Sequence, residues 1–177
     1  MTAALPRLED AVAATARLAD HAPITELTPW PRLSARLGAE VRVKRDDALP
    51  GGAMFRGAAN AVLDASSGAL TQDLIAASNG PFGAAVAEMA ARLSVRATII
   101  APRDAPDFAA PGARILRVPG ALADARAAAA ARAHAEGLRL IDPASAAAMA
   151  GASTAALECL GQWPELDAVV AAAASGG

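Results

Sequence analysis

Short apolar runs alternate with alanine-rich stretches of helical length along most of this chain, and that alternation constrains the fold more than any other feature. Val41-Arg-Val-Lys44 alternates with period two and reads as a strand over 41–44. Further strands are predicted over 74–77, 97–101, 115–118, 138–141 and 168–173, each a short apolar run bounded by turn residues. Helices are predicted over 32–37, 56–65, 83–93, 122–135 and 145–160. Pro31 stands where a first-turn proline is tolerated, and Gly38 and Gly137 stand where C-terminal caps belong. Strands separated by helices pair in parallel through right-handed crossovers, so the predicted class is α/β with parallel-sheet βαβ units. Ligands in such sheets bind beyond the carboxyl ends of the strands, which directs attention to the strand-to-helix loops.

Composition limits the core and the partners. Hydrophobic residues are 54% of 177, but roughly 30% of the chain is alanine, which buries little surface per residue. A net charge of -2 argues for a folded but thinly packed chain, since disordered chains pair low hydrophobicity with high charge. Tyrosine is absent and aromatics are 3%, so stacking on bases is not the expected binding mode, and no basic face implies a phosphate-backbone partner. The single Cys159 excludes an internal disulfide and a cysteine-rich metal site, and makes a cytoplasmic address the default. The start of the chain carries Arg7, Glu9 and Asp10 with no long apolar region, and the longest apolar run, 168–174, is far too short to span a bilayer. The expectation is a protein with no secretory leader and no membrane partner.

Three loops concentrate the small residues that let backbone approach a ligand. They are Leu49-Pro-Gly-Gly-Ala-Met-Phe-Arg-Gly-Ala-Ala-Asn60, Ala77-Ser-Asn-Gly-Pro-Phe-Gly83 and Ser175-Gly-Gly177, the last after an apolar run and able to present successive N–H groups to a phosphate. Singly, each is an ordinary Gly-rich turn. Their order resembles that of the fold type II pyridoxal-phosphate (PLP) enzymes, in the threonine/serine dehydratase and serine racemase branch. The resemblance covers 24–177. Ile24-Thr-Glu-Leu-Thr-Pro-Trp-Pro-Arg-Leu-Ser34 and Val43-Lys-Arg-Asp-Asp47 resemble the family's opening segment and strand end. Gly51-Gly-Ala-Met-Phe-Arg-Gly-Ala58 is similar to Gly-Ser-Phe-Lys-x-Arg-Gly-Ala, and Ser78-Asn-Gly-Pro-Phe-Gly83 to Ser-Ser-Gly-Asn-His-Gly. Ala150-Gly-Ala-Ser-Thr154 with Leu157-Glu158 resembles Ala-Gly-Gln-Gly-Thr…Leu-Glu, and Leu166-Asp-Ala-Val-Val170 the strand before the phosphate loop.

The resemblance implies a small domain over 53–150, flanked by parts of a large domain over 1–52 and 151–177. It implies PLP as cofactor, held by a phosphate loop matching Ser175, Gly176 and Gly177, and a small amino acid held by Ser78, Asn79 and Gly80. The departures fall on chemistry. Met54 stands where the family's Schiff-base lysine belongs, and a thioether neither condenses with an aldehyde nor shuttles a proton. Lys44, the only lysine, matches a different strand-end position. Pro81 matches the Asn that hydrogen-bonds the cofactor and offers no donor. Ala53 matches a phenylalanine that walls the site, and the phosphate loop shows only two of its glycines. Three prolines within 102–111 predict a shortened or absent helix there.

The other candidates have structural readings. Met54 is expected to fill a core gap and Cys159 to be a buried inert thiol. His134 is expected to serve as a cation near a helix C-terminus, and His21 has no ligand-spaced partner. Asp46 and Asp47 are expected to be solvated strand-end charges and Arg56 a structural residue at a helix start. No metal site is expected. Three functional readings remain open. The first is a truncated or catalytically degenerate dehydratase-like protein without covalent PLP, and the second a piece of an active ammonia-lyase or racemase. The third is a non-catalytic scaffold that docks on an active paralogue; as partners, a second copy or a paralogue subunit is expected.

Overall fold

A computed structural model describes residues 5–66 and 72–171. Its elements in chain order are α1 (Leu8–Leu18), β1 (Leu27–Pro29), α2 (Pro31–Leu37), β2 (Arg42–Lys44), a 3₁₀ turn (Asp46–Ala48), α3 (Phe55–Ser66), β3 (Leu74–Ala77), α4 (Pro81–Arg92), β4 (Ala97–Pro102), β5 (Arg114–Val118), α5 (Leu122–Glu136), β6 (Arg139–Ile141) and α6 (Ala146–Gln162). The four strands β5-β4-β3-β6 form one parallel sheet in that order. The predicted α/β class therefore holds.

Side chains alternate across this sheet, as a period of two requires. Leu74, Ala76 and Ile99 face a core completed by Phe55 and Val62 of α3 and by Phe82, Val86 and Met89 of α4. Ile75, Ala77 and Ile100 face the other way, onto Ala125, Ala129 and Ala133 of α5. Those alanines recur every fourth residue, so the nearly poly-alanine helix lays one smooth stripe on the sheet. Gly38 and Gly137 take left-handed caps at the ends of α2 and α5. Ser145 caps α6, its hydroxyl accepting the Ala148 N–H at 3.1 Å.

α6 lies against α3 and α1. The α3–α6 crossing is close enough that a Cβ on Gly151 would sit 2.4 Å from the Arg56 carbonyl oxygen and 2.5 Å from Asn60 Cβ. α1, absent from the sequence reading, buries Ala11, Ala14 and Leu18. Its start is tied by the Arg7 N–H donating to Asp10 Oδ2 at 2.7 Å.

Two corrections concern strands. β1 was not anticipated; it pairs antiparallel with β2, Thr28 opposite Val43, so this second, two-stranded sheet is not parallel. The strand expected over 168–173 is not present in 168–171, and 172–173 lie outside the described residues. A strand exists by pairing, and none of the described strands pairs with 168–171. The segment 103–113 has turns but no helix, as its prolines require. Among the described residues no helix is long and apolar enough to cross a membrane.

Candidate functional site

Two of the three singled-out loops meet at the carboxyl end of the parallel sheet. β3 ends at Ala77 and hands the chain to α4 through Ser78, Asn79 and Gly80. Gly80 has φ 150°, a conformation that a residue with a Cβ rarely adopts. Ser78 is 3% exposed, and its Oγ accepts the Gly80 N–H at 3.0 Å and the Gly83 N–H at 2.8 Å. Pro81 occupies the first turn of α4, where its missing N–H costs no intrahelical hydrogen bond, and it is exposed together with Asn79. The 49–54 loop leans on the same helix: a Cβ on Gly51 would meet Ala85 Cα at 2.8 Å.

Met54 heads α3, its carbonyl accepting the Ala58 N–H at 3.2 Å. Its side chain is partly buried against the main core, as the gap-filling reading expects. Ser175, Gly176 and Gly177 lie outside the described residues, so the third loop is not placed.

The second residue of α3 is the most buried charge in the described chain. Arg56 is 2% exposed. Its Nε donates to Asp46 Oδ2 at 2.8 Å, and its two terminal nitrogens donate to Glu158 at 2.6 and 2.9 Å. Lys44 Nζ reaches the same Glu158 at 2.5 Å and the Thr25 carbonyl at 2.7 Å. Thr25 Oγ1 donates to Asp46 Oδ1 at 2.6 Å, and Gln162 Nε2 to the Thr25 carbonyl at 2.8 Å. Two cations and two carboxylates thus balance inside the protein. Burial pulls the Arg56 guanidinium down, but its hydrogen bonds to Asp46 and Glu158 outweigh this and hold it above its ordinary value.

The structural reading of Arg56 is met, and that of Asp46 is corrected. Asp46 is shielded by the guanidinium it binds, whereas Asp47 is solvated and pairs with Arg45 at 2.8 Å. The hydrogen bond from Arg45 draws the Asp47 carboxyl below its usual range. Sequence reasoning gave Thr25 and Gln162 no role. Glu158 carried one signal: it follows Thr154 by one helical turn inside an apolar helix, which puts both on one face.

Cys159 sits beside this cluster, and burial pushes its thiol up, against the opposing pull of Lys44. His134 lies exposed in the last turn of α5. His21 lends its carbonyl to Arg92 Nη1 at 3.1 Å.

The profile of the family described as pyridoxal-phosphate dependent enzyme matches residues 18–177. A biosynthetic L-threonine dehydratase of Burkholderia multivorans is 35% identical over 158 residues, which cover 84% of this chain and 31% of that protein. An L-threo-3-hydroxyaspartate ammonia-lyase of Saccharomyces cerevisiae is 33% identical over 180 residues, covering 98% of this chain and 55% of that protein. Maize serine racemase shares the fold at TM-score 0.84 and 25% identity, over 93% of this chain and 52% of the racemase chain. The chain spans between about a third and just over half of the length of these relatives.

Proposed function

Since the chain belongs to the family of pyridoxal-phosphate dependent enzymes, we propose that it is a threonine/serine dehydratase-like member that does not capture the cofactor covalently and turns over no amino acid by itself. The observation that carries this reading is the whereabouts of its amines. Met54 takes the lysine's place at the head of α3, and the one lysine side chain, Lys44, is spent on Glu158 and the Thr25 carbonyl. Both contacts of its Nζ lie within the protein, in an ion pair that a condensing amine would have to give up. The residues present do not fit covalent attachment of the cofactor.

The remaining assignments belong to the same reading. Ser78, Asn79 and Gly80 correspond to the substrate-carboxylate loop, and Pro81 to the cofactor-facing position, where it donates nothing. Ser175, Gly176 and Gly177 correspond to the phosphate loop. The division into 1–52, 53–150 and 151–177, a cytoplasmic address and association with a second copy or a paralogue complete the proposal.

Treatment with PLP and borohydride, followed by intact mass and peptide mapping, tests it. No stoichiometric side-chain adduct is expected, and one mapped to Lys44 overturns the reading. A second reading, that the chain is part of a longer ammonia-lyase, is favoured by the share of its relatives that it spans. Met54 lies within the matched region, so a longer product would carry the same substitution. Ammonia release from L-serine or L-threonine by such a product would favour that second reading.

A further inference from the structure

We infer that the segment 103–112 is a built-in cover over the 78–83 loop, with Phe108 closing the loop to carboxylates and Arg117 holding the cover in place. Arg117 lies inside β5 and aims its guanidinium at the turns that follow β4. It donates to the carbonyls of Pro102 at 3.2 Å, of Arg103 and Pro106 at 3.4 Å each, and of Ala105, and to Asp107 Oδ1 at 2.7 Å. A proline-rich turn has few N–H groups with which to satisfy its own carbonyls, and the planar fork supplies the missing donors. The next residue after this staple is Phe108.

The Phe108 ring packs against the main core and reaches the loop at Gly80, where an added methyl group would meet its Cδ1 at 4.0 Å. Beyond it, Ala109, Ala110 and Pro111 border a shallow depression of about 410 Å³ with Gly51, Ala84 and Glu88, so the segment lies along the first turns of α4. Beneath the ring two of the loop's backbone donors are already committed. Gly80 and Gly83 donate to Ser78 Oγ, and Pro81 has no N–H. To reach the Gly80 and Gly83 amides, an incoming carboxylate would have to lift an aromatic ring and displace a buried hydroxyl.

This inference rests on reading 78–83 as a carboxylate-facing loop, but its test does not depend on the cofactor. Amide hydrogen exchange on the full chain at Gly80 and Gly83, compared with the β3 amides, reports the cover directly. Phe108→Ala and Arg117→Gln should each speed exchange at Gly80 and Gly83 by about tenfold and leave β3 unchanged. The second variant releases the segment without removing a ring from the core. Unchanged exchange in both variants overturns the inference, as does acceleration spread equally over β3, which would mark Phe108 as ordinary core. In wild type, titration with acetate or L-serine should leave the Gly80 and Gly83 amide signals in place, and a saturable shift would show an open loop and overturn it. A borohydride-reducible adduct would count against the proposed function alone and leave the cover standing.

Discussion

Glu158 accepts hydrogen bonds from Lys44, from both terminal nitrogens of Arg56 and from the Thr25 N–H. Neutralising it leaves two buried cations facing Asp46 alone, and a broken buried pair costs far more than an exposed one. Glu158→Gln is expected to destabilise the fold by about 3–5 kcal/mol, read from urea unfolding. The adjacent Cys159 gives a pH-dependent prediction. Its thiol is raised chiefly by burial, so the folded chain holds that proton at a pH where the unfolded chain releases it. The contribution to stability is therefore complete below the ordinary thiol range and fades as pH rises through the native value. Iodoacetamide labelling of the native protein should show a rate midpoint above that of the same thiol in urea; coincident midpoints would refute the burial argument.

At the scale of elements, the α3–α6 crossing depends on Gly151. A methyl group there meets a backbone carbonyl oxygen at 2.4 Å, and backbone cannot rotate aside as a side chain can. Gly151→Ala should cost about 1–3 kcal/mol, measured as a lower urea midpoint with unchanged m-value. Elements announced by their own side chains were legible in the sequence. β3 falls on the predicted residues because four apolar side chains in a row, all buried, stand between turn residues. α1 was not legible, because the residues it buries are mostly alanines in a chain where alanine is everywhere. β1 was not legible either: it is three residues long, ends in Pro29 and exists through its pairing with β2. The loops at 49–54 and 78–83 could be found from their glycines and their places after strands. The charge cluster as a unit could not: Arg56 read as structural and Glu158 shared a helix face with Thr154, but only the fold brings them to Thr25 and Lys44. Phe108 over Gly80 was hidden for the same reason.

For the molecule as a whole, supplying an amine is not the same as supplying an active site. Met54→Lys would place an ammonium at the head of α3, half-buried against the core. The variant is expected to gain a borohydride-reducible PLP adduct at residue 54, seen by mass. It should release no ammonia from L-serine or L-threonine above the rate with free PLP, because misplaced supports cost about a hundredfold or more each. Activity well above that background would show that the remaining residues already build a working site. The charge cluster also orders events in time. Its hydrogen bonds join residues 102, 114, 133 and 137 positions apart, from Arg56, Lys44 and Thr25 to Glu158 and from Gln162 to Thr25. Contacts of such span close after the local helices and the neighbouring parallel strands have formed. The cluster is then expected to close late, after the folding transition state. Glu158→Gln should hasten unfolding while leaving the refolding rate near that of wild type, so the balanced charges set how long the native chain lasts rather than how fast it is reached.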